Sequence, residues 1–398
     1  MERVLNEAKK QFDRAEIFRL TSNSTQVDFE HNRLKKIDTS EDFGLALRGV
    51  KGGKIAFSTT TKPDDIEGVV KTALDVIDFS PECRFDFSGE PGKMPTEPPL
   101  YSERTASVTV KEMVDTGKEM VEKIRKYDDQ IQSFVGFGTE SSEVSLANTE
   151  GLNFTCNKTG AGFAVGGRLI EGQNMVLVFE SRSAIEYDFD FDGIVSKVIK
   201  DFEIARKNVD FKGGVLPVIL TPHAVSDLLL PIMACSNGRA VAKGISPWRG
   251  RAGEQMLDKR VTICDDGLLA NGISTAYMDD EGVPSGKTAL IEKGVLKNFI
   301  HDLDSAAALG ATPTGNGRRT KRYGSSRDAS SPPSPSITNI VMEGGEKSFD
   351  EMMREMGDGL LIDRLMGTMM GNLYGGAVGG NVLLGYKVEG GVRVGRIK

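Results

Sequence analysis

The chain has 398 residues, long enough for two or three domains rather than one. Hydrophobic residues make up 39% and charged residues 27%, the balance of a globular protein with a sizeable core. The net charge of −7 and a pI near 5.3 argue against a general nucleic-acid binder, which needs a basic surface to meet phosphates.

Residues 2–13 have helical periodicity, with Val4, Leu5, Ala8 and Phe12 on one side. This N-terminal stretch is charged and lacks an apolar h-region, so no signal peptide is expected and cytoplasm is the expected location. Five short alternating runs follow: AEIFRLTS, TQVDFE, RLKKIDT, FGLALRG and KIAFSTT. They predict antiparallel strands joined by tight turns such as Gly52-Gly53. Residues 63–79 predict a helix with Pro63 in its first turn and Ile66, Val69, Val70, Ala73 and Ile77 on the buried stripe. Residues 80–106 read as a long surface connection, and 107–127 as a second amphipathic helix.

A block of strands is expected over 130–182 and a third helix over about 193–207. Gly213-Gly214 marks a junction, after which VLPVIL (215–220) predicts a strand. KTALIEKGVLKNFI (287–300) predicts a hairpin turning at Glu292-Lys293-Gly294. GNGRRTKRYGSSRDASSPPSPS (315–336) has five basic residues between 318 and 327, then serines and prolines, and reads as a mobile loop. The expected fold class is α+β. An N-terminal domain (1–209, in two sub-parts of about 1–80 and 107–209) combines antiparallel strands with amphipathic helices. A C-terminal domain (210–398) is mainly antiparallel β. No run of 18 apolar residues predicts a membrane span.

LTPHAVSDLLLP (220–231) places His223 and Asp227 at i and i+4, one face of a helix, where two ligands could share a metal. A catalytic zinc needs a third protein ligand, and a metallopeptidase needs a glutamate for the water. No glutamate adjoins His223, His31 and His301 stand alone, and no cysteine follows Cys264. The plainer reading starts a helix at Thr221 or Pro222, leaves Asp227 solvated and turns Val225, Leu228 and Leu229 to the core. Asp279, Asp280 and Glu281 could bind a cation, or form an ordinary acidic turn before Gly-Val-Pro. Cys83, Cys156, Cys235 and Cys264 are widely spaced and read as free thiols in a reducing compartment.

MDDEGVPSGKTALIEKGVLKNFIHDLDSAAALGATPTGNG (278–317) resembles the TldD/TldE (PmbA) family, also called modulators of DNA gyrase. Four further segments match in order: 35–61, 146–159, 238–266 and 334–353. The TldD branch carries HExxxH on a C-terminal-domain helix and a cysteine ligand in a glycine-rich segment. Matched on Ala224-Val225, this chain places Pro222, His223 and Asp227 at the His, Glu and His positions. GTMMGNLYGG (367–376) holds no cysteine. That pattern resembles the TldE branch.

The resemblance implies a non-catalytic subunit of a cytoplasmic metallopeptidase that acts on small unfolded polypeptides. No cofactor is expected in this chain, and zinc or a similar divalent metal is expected in a TldD-like partner. Self-association as a homodimer is also expected, whereas direct nucleic-acid binding and membrane contact are not. Asp280, Glu281, Thr314, Gly315 and Asn316 are the substrate-binding candidates, and loop 312–338 would line the chamber. Deleting 318–331 is then expected to abolish stimulation of the partner without unfolding the chain. One alternative is a homodimeric protein-binding regulator without a protease role. Another is an active homodimer with an unusual metal site of His223, Asp227 and His301. Family members extend past the segment matching EGGVRVGRIK, and loss of that extension would expose a sheet edge or weaken dimer contacts.

Overall fold

The computed structural model describes residues 1–90, 92, 94–320, 327–375 and 379–397. Helix α1 (Glu2–Ala8) buries Val4, Leu5 and Ala8, and Phe12 is buried just beyond its end. The five expected strand runs are three long strands: β1 (Arg14–Glu30), β2 (Arg33–Lys51) and β3 (Lys54–Thr60). Polar residues at 22–24 and 40–42 looked like breaks, yet β1 is hydrogen-bonded on both sides there, to β2 and later to β4. Backbone pairing holds the ladder where side chains contribute no burial. The two hairpins turn at His31-Asn32 and Gly52-Gly53, all four at positive φ. These two-residue turns match the twist of the strands, and His31 is simply part of one.

Helix α2 (Ile66–Val76) begins three residues after Pro63 and buries Val69, Val70 and Ala73. A short α3 (Glu103–Ala106) precedes α4 (Val110–Tyr127), whose start is capped by the Thr109 side chain. Strands β4 (Gln132–Asn148), β5 (Asn153–Glu171) and β6 (Asn174–Ala184) follow, then α5 (Phe191–Ala205). All six strands form one antiparallel sheet in the order β3-β2-β1-β4-β5-β6. Its two faces are read from β1. Ala15 and Ile17 pack with α1 and α2, while Val27 and Phe29, on the same face, pack with α4. The opposite face buries Glu16 and Phe18 at one end, and further along leaves Ser22 half-buried and Gln26 exposed.

The C-terminal half has β7 (Val218–Leu220), α6 (Pro222–Cys235), α7 (Gly238–Ala242), β8 (Ile263–Asp266), β9 (Lys287–Glu292) and β10 (Val295–Leu296). It continues through α8 (Leu303–Leu309), β11 (Gly317–Arg318), β12 (Ser334–Pro335), β13 (Ile340–Met342) and α9 (Phe349–Met356). Strands β14 (Gly359–Met366), β15 (Asn381–Glu389) and β16 (Val392–Arg396) complete it. Two four-stranded sheets result, β10-β9-β8-β13 and β16-β15-β14-β7, with a β11-β12 pair between segments. Pairing is antiparallel except β7 with β14. The expected strand at 215–220 is shorter than read, because pairing with β14 starts only at Val218 and Val215 is left fully exposed. The hairpin turn falls at Lys293-Gly294, both at positive φ. All four cysteines are free thiols.

Candidate functional site

The acidic run 279–281 is buried, not a surface turn: Asp279, Asp280 and Glu281 are all 2% exposed or less. Burying carboxylates without partners would be prohibitive, and the partners come from the far end of the chain. Arg48 on β2 donates to Glu16 on β1 at 2.9 Å through both Nε and Nη2, and to Glu281 through Nη1. Arg319, fully buried, lies 3.4 Å from Glu16 and stacks over the Phe18 ring at 4.9 Å. Arg327 Nε is 3.0 Å from Asp280 Oδ1, and Asp280 Oδ2 accepts the Arg319 backbone N–H. Burial lowers the Arg48 pKa, but Glu16 and Glu281 outweigh it and hold the guanidinium charged. Asp279 has no cation partner among the described residues and accepts backbone N–H groups of Glu281, Val283 and Gly317. Burial, then the Glu281 charge, push its pKa well up.

The other substrate-binding candidates belong to the same knot. Thr314 bonds the Asn316 side-chain oxygen at 2.7 Å and accepts the His301 backbone N–H at 2.8 Å. Asn316 donates to Asp265 at 2.6 Å. Gly315 has φ +73°, and a Cβ there would sit 2.6 Å from the Pro284 carbonyl. The structure therefore brings Asp280, Glu281, Thr314, Gly315 and Asn316 together, but beneath the surface. The basic stretch 318–327 is likewise not a free loop where described: Arg318 and Arg319 are 6% and 0% exposed. Deleting 318–331 would remove Arg319 and Arg327 and leave buried Asp280 without its cation, so that deletion should destabilise the fold, against expectation. Residues 321–326 of the loop lie outside the described residues.

Helix α6 starts where the sequence places it, with Thr221 as N-cap and Pro222 at its first position. Val225 and Leu229, four residues apart, pack toward β8 and β9, whereas Leu228 lies off that face and is 40% exposed, against expectation. His223 meets one carboxylate and, among the described residues, no group of three potential metal ligands. Its Nε2 is 3.2 Å from Glu180 on β6, a carboxylate that also receives Lys197 at 2.6 Å and Arg182 at 2.9 Å. Burial pushes the Glu180 pKa up, but the hydrogen bonds from His223 and Lys197 more than offset it and hold the carboxyl well below its usual range. His301 is buried with Nδ1 3.3 Å from Ser305 Oγ, and burial lowers its pKa. Among the described residues no three His, Cys, Asp or Glu side chains converge as a metal-ligating group, so His223, Asp227 and His301 are not gathered into one. Cys235, on α6 itself, faces the Leu373 carbonyl. This donor set does not fit a catalytic zinc.

A different feature can receive a chain. On the face of the large sheet away from α4, strands β4 and β5 place Gly136, Gly138, Gly160, Gly162 and Ala164 side by side, beside Gln26 of β1. Side chains are missing from this floor, and the result is an open trough of about 610 Å³. Glycine-rich strands make close backbone approach possible.

Residues missed in the sequence are Glu16, Arg48, Glu180 and Arg319. The signal existed for two of them: a charge inside an apolar strand run, as in Ala15-Glu16-Ile17 and Leu47-Arg48, demands a buried partner.

Three domains of one family match the chain in order. PmbA/TldA metallopeptidase domain 1 matches residues 15–77, the central domain 103–210 and the C-terminal domain 213–398. An uncharacterized Methanocaldococcus jannaschii protein is 26% identical over 364 residues, 88% of this chain and 80% of its own length. A Haemophilus influenzae protein named as a metalloprotease TldD homolog is 32% identical over 148 residues, 37% of this chain and 29% of its own. In fold, TldE from Thermococcus kodakarensis superposes with a TM-score of 0.89 at 23% identity, over 100% of this chain and 89% of that one. A Thermotoga maritima protein described as a candidate modulator of a DNA gyrase gives the same TM-score at 24% identity, with the same coverage. The ordered match of all three domains places this chain in the PmbA/TldA metallopeptidase family.

Proposed function

We propose that this chain is the TldE-like, non-catalytic subunit of a cytoplasmic two-subunit metallopeptidase that acts on small unfolded polypeptides. One observation carries the reading. At the metal-motif positions of α6 stand a proline, a histidine bound to Glu180, and Asp227. A TldD-like partner would hold the zinc or similar divalent ion and the glutamate that activates water.

This chain would supply walls and substrate contacts. The glycine-floored trough has room for an extended backbone. Asp280, Glu281, Thr314, Gly315 and Asn316 would serve binding from behind, by holding the wall in place. Around α6, Leu228, Met366 and Val382 are 40%, 51% and 43% exposed, apolar surface of the kind a subunit covers.

The test is to mix the chain with a TldD-like subunit from the same genome. Light scattering then reports the complex, and mass spectrometry reports cleavage of an unstructured peptide. A heteromer with stimulated cleavage supports the reading. A homodimer that ignores the TldD-like protein would overturn it in favour of a protein-binding regulator.

A further inference from the structure

The trough does not end in solvent. At Gly160 it opens into a smaller cavity of about 110 Å³, where the loop at 273–274 and the basic residues after Gly317 cover the sheet. The lining is cationic. Lys158, two residues along β5 from Gly160, donates to the carbonyls of Ile273 and Thr275 at 2.6 and 2.7 Å. Arg327 faces the cavity while paired with Asp280. Arg318 is the unusual member. It is 6% exposed, yet its Nε and Nη2 are buried without a hydrogen-bond partner among the described residues. A buried guanidinium with unmet donors costs folding free energy unless something accepts from it. Ser142 and Ser274 add polar lining, and the one carboxylate among the described lining residues, Glu140, is exposed at the rim.

We infer that this cavity is an oxyanion site in which Arg318, Lys158 and Arg327 receive a carboxylate or phosphate group. Two kinds of ligand present that chemistry: the carboxylate of a polypeptide lying in the trough, and free phosphate. The volume admits a group of that size and little more. Burial, with Arg327 nearby, pulls the Arg318 pKa down to about 10, and burial lowers that of Lys158 well below its usual range. In both, burial outweighs the pull of the carboxylates nearby, Asp280, Asp265 and Asp279 for Arg318 and Glu140 for Lys158. The inference does not depend on a TldD-like partner, because the lining comes from this chain alone.

Calorimetry on the whole chain at low salt tests it with three probes: inorganic phosphate, an acetylated tetra-alanine with a free C-terminal carboxylate, and the same peptide as its amide. The expected result is saturable one-site binding of phosphate or of the acid peptide, and none of the amide. Phosphate alone assigns a free ion, and the acid peptide assigns a substrate carboxylate. Arg318→Gln should weaken binding about tenfold or more, and Glu140→Gln should tighten it by about threefold. If R318Q does not fold, the exposed rim substitution E140Q decides. No saturable binding to the wild type, unchanged binding in folded R318Q, or no gain in E140Q would overturn the site.

Discussion

At the level of single residues, Arg48 ties the two halves of the chain together at the buried acidic run, through its bond to Glu281. It bridges the buried carboxylates of Glu16 and Glu281, so truncating it leaves Glu281 without its cation and Glu16 with only Arg319 at 3.4 Å. Arg48→Ala should cost about 3–5 kcal/mol, read from the denaturant midpoint; a loss below about 1 kcal/mol would mean the buried ion pairs do not stabilise the fold. Glu180 gives a pH prediction. Its folded pKa lies below the ordinary value of 4.5, so its contribution is complete above pH 4.5 and is lost as pH falls toward the folded value. Glu180→Gln should therefore flatten the fall in stability below pH 4.5, and an unchanged acid limb would contradict the pairing with His223 and Lys197. None of this burial was legible from the acidic run itself. Glu281 and Arg48 are 233 residues apart in sequence, and Glu16 and Arg319 are 303 apart. Local pattern sees a turn where tertiary contact makes a buried centre.

Elements were more legible than sites. Helices with an apolar stripe and a cap, such as α4 and α6, lie where periodicity put them, because the signal is local and repeats. Strand lengths were not legible. β1 runs unbroken through Ser22-Asn23-Ser24 because both of its edges are paired, and pairing leaves no trace in one strand's own residues. The same strands expose a testable surface. A Cβ at Gly138 meets nothing within 4 Å, and φ there is not in the left-handed region. Gly138→Phe should fold with stability changed by less than about 1 kcal/mol, while filling the trough. Peptide cleavage by the assembled enzyme should fall at least about tenfold, a loss of some 1.4 kcal/mol in transition-state binding. Undiminished cleavage would remove the trough from the substrate path.

At the scale of the whole molecule, one face of the six-stranded sheet packs against helices at both ends and shares its core with β14 and β15, and the other carries Met278 and Ala329 of the C-terminal half at one end and the trough further along. Helix α6 sits beside this sheet through His223 and Glu180, so the helix that resembles the TldD motif segment is tied to the N-terminal half. The resemblance in sequence reached the family because it rests on many ordered segments. It could not reach this tie, since Glu180 lies 43 residues from His223 and outside any motif. The most direct measurement is metal content together with cleavage of an unstructured peptide, for the chain purified alone and in complex with a TldD-like subunit. The account predicts neither metal nor cleavage alone, and both in the complex, with His223→Ala in this chain leaving the bound metal unchanged. Stoichiometric metal and cleavage by this chain alone, both abolished by His223→Ala, would contradict it.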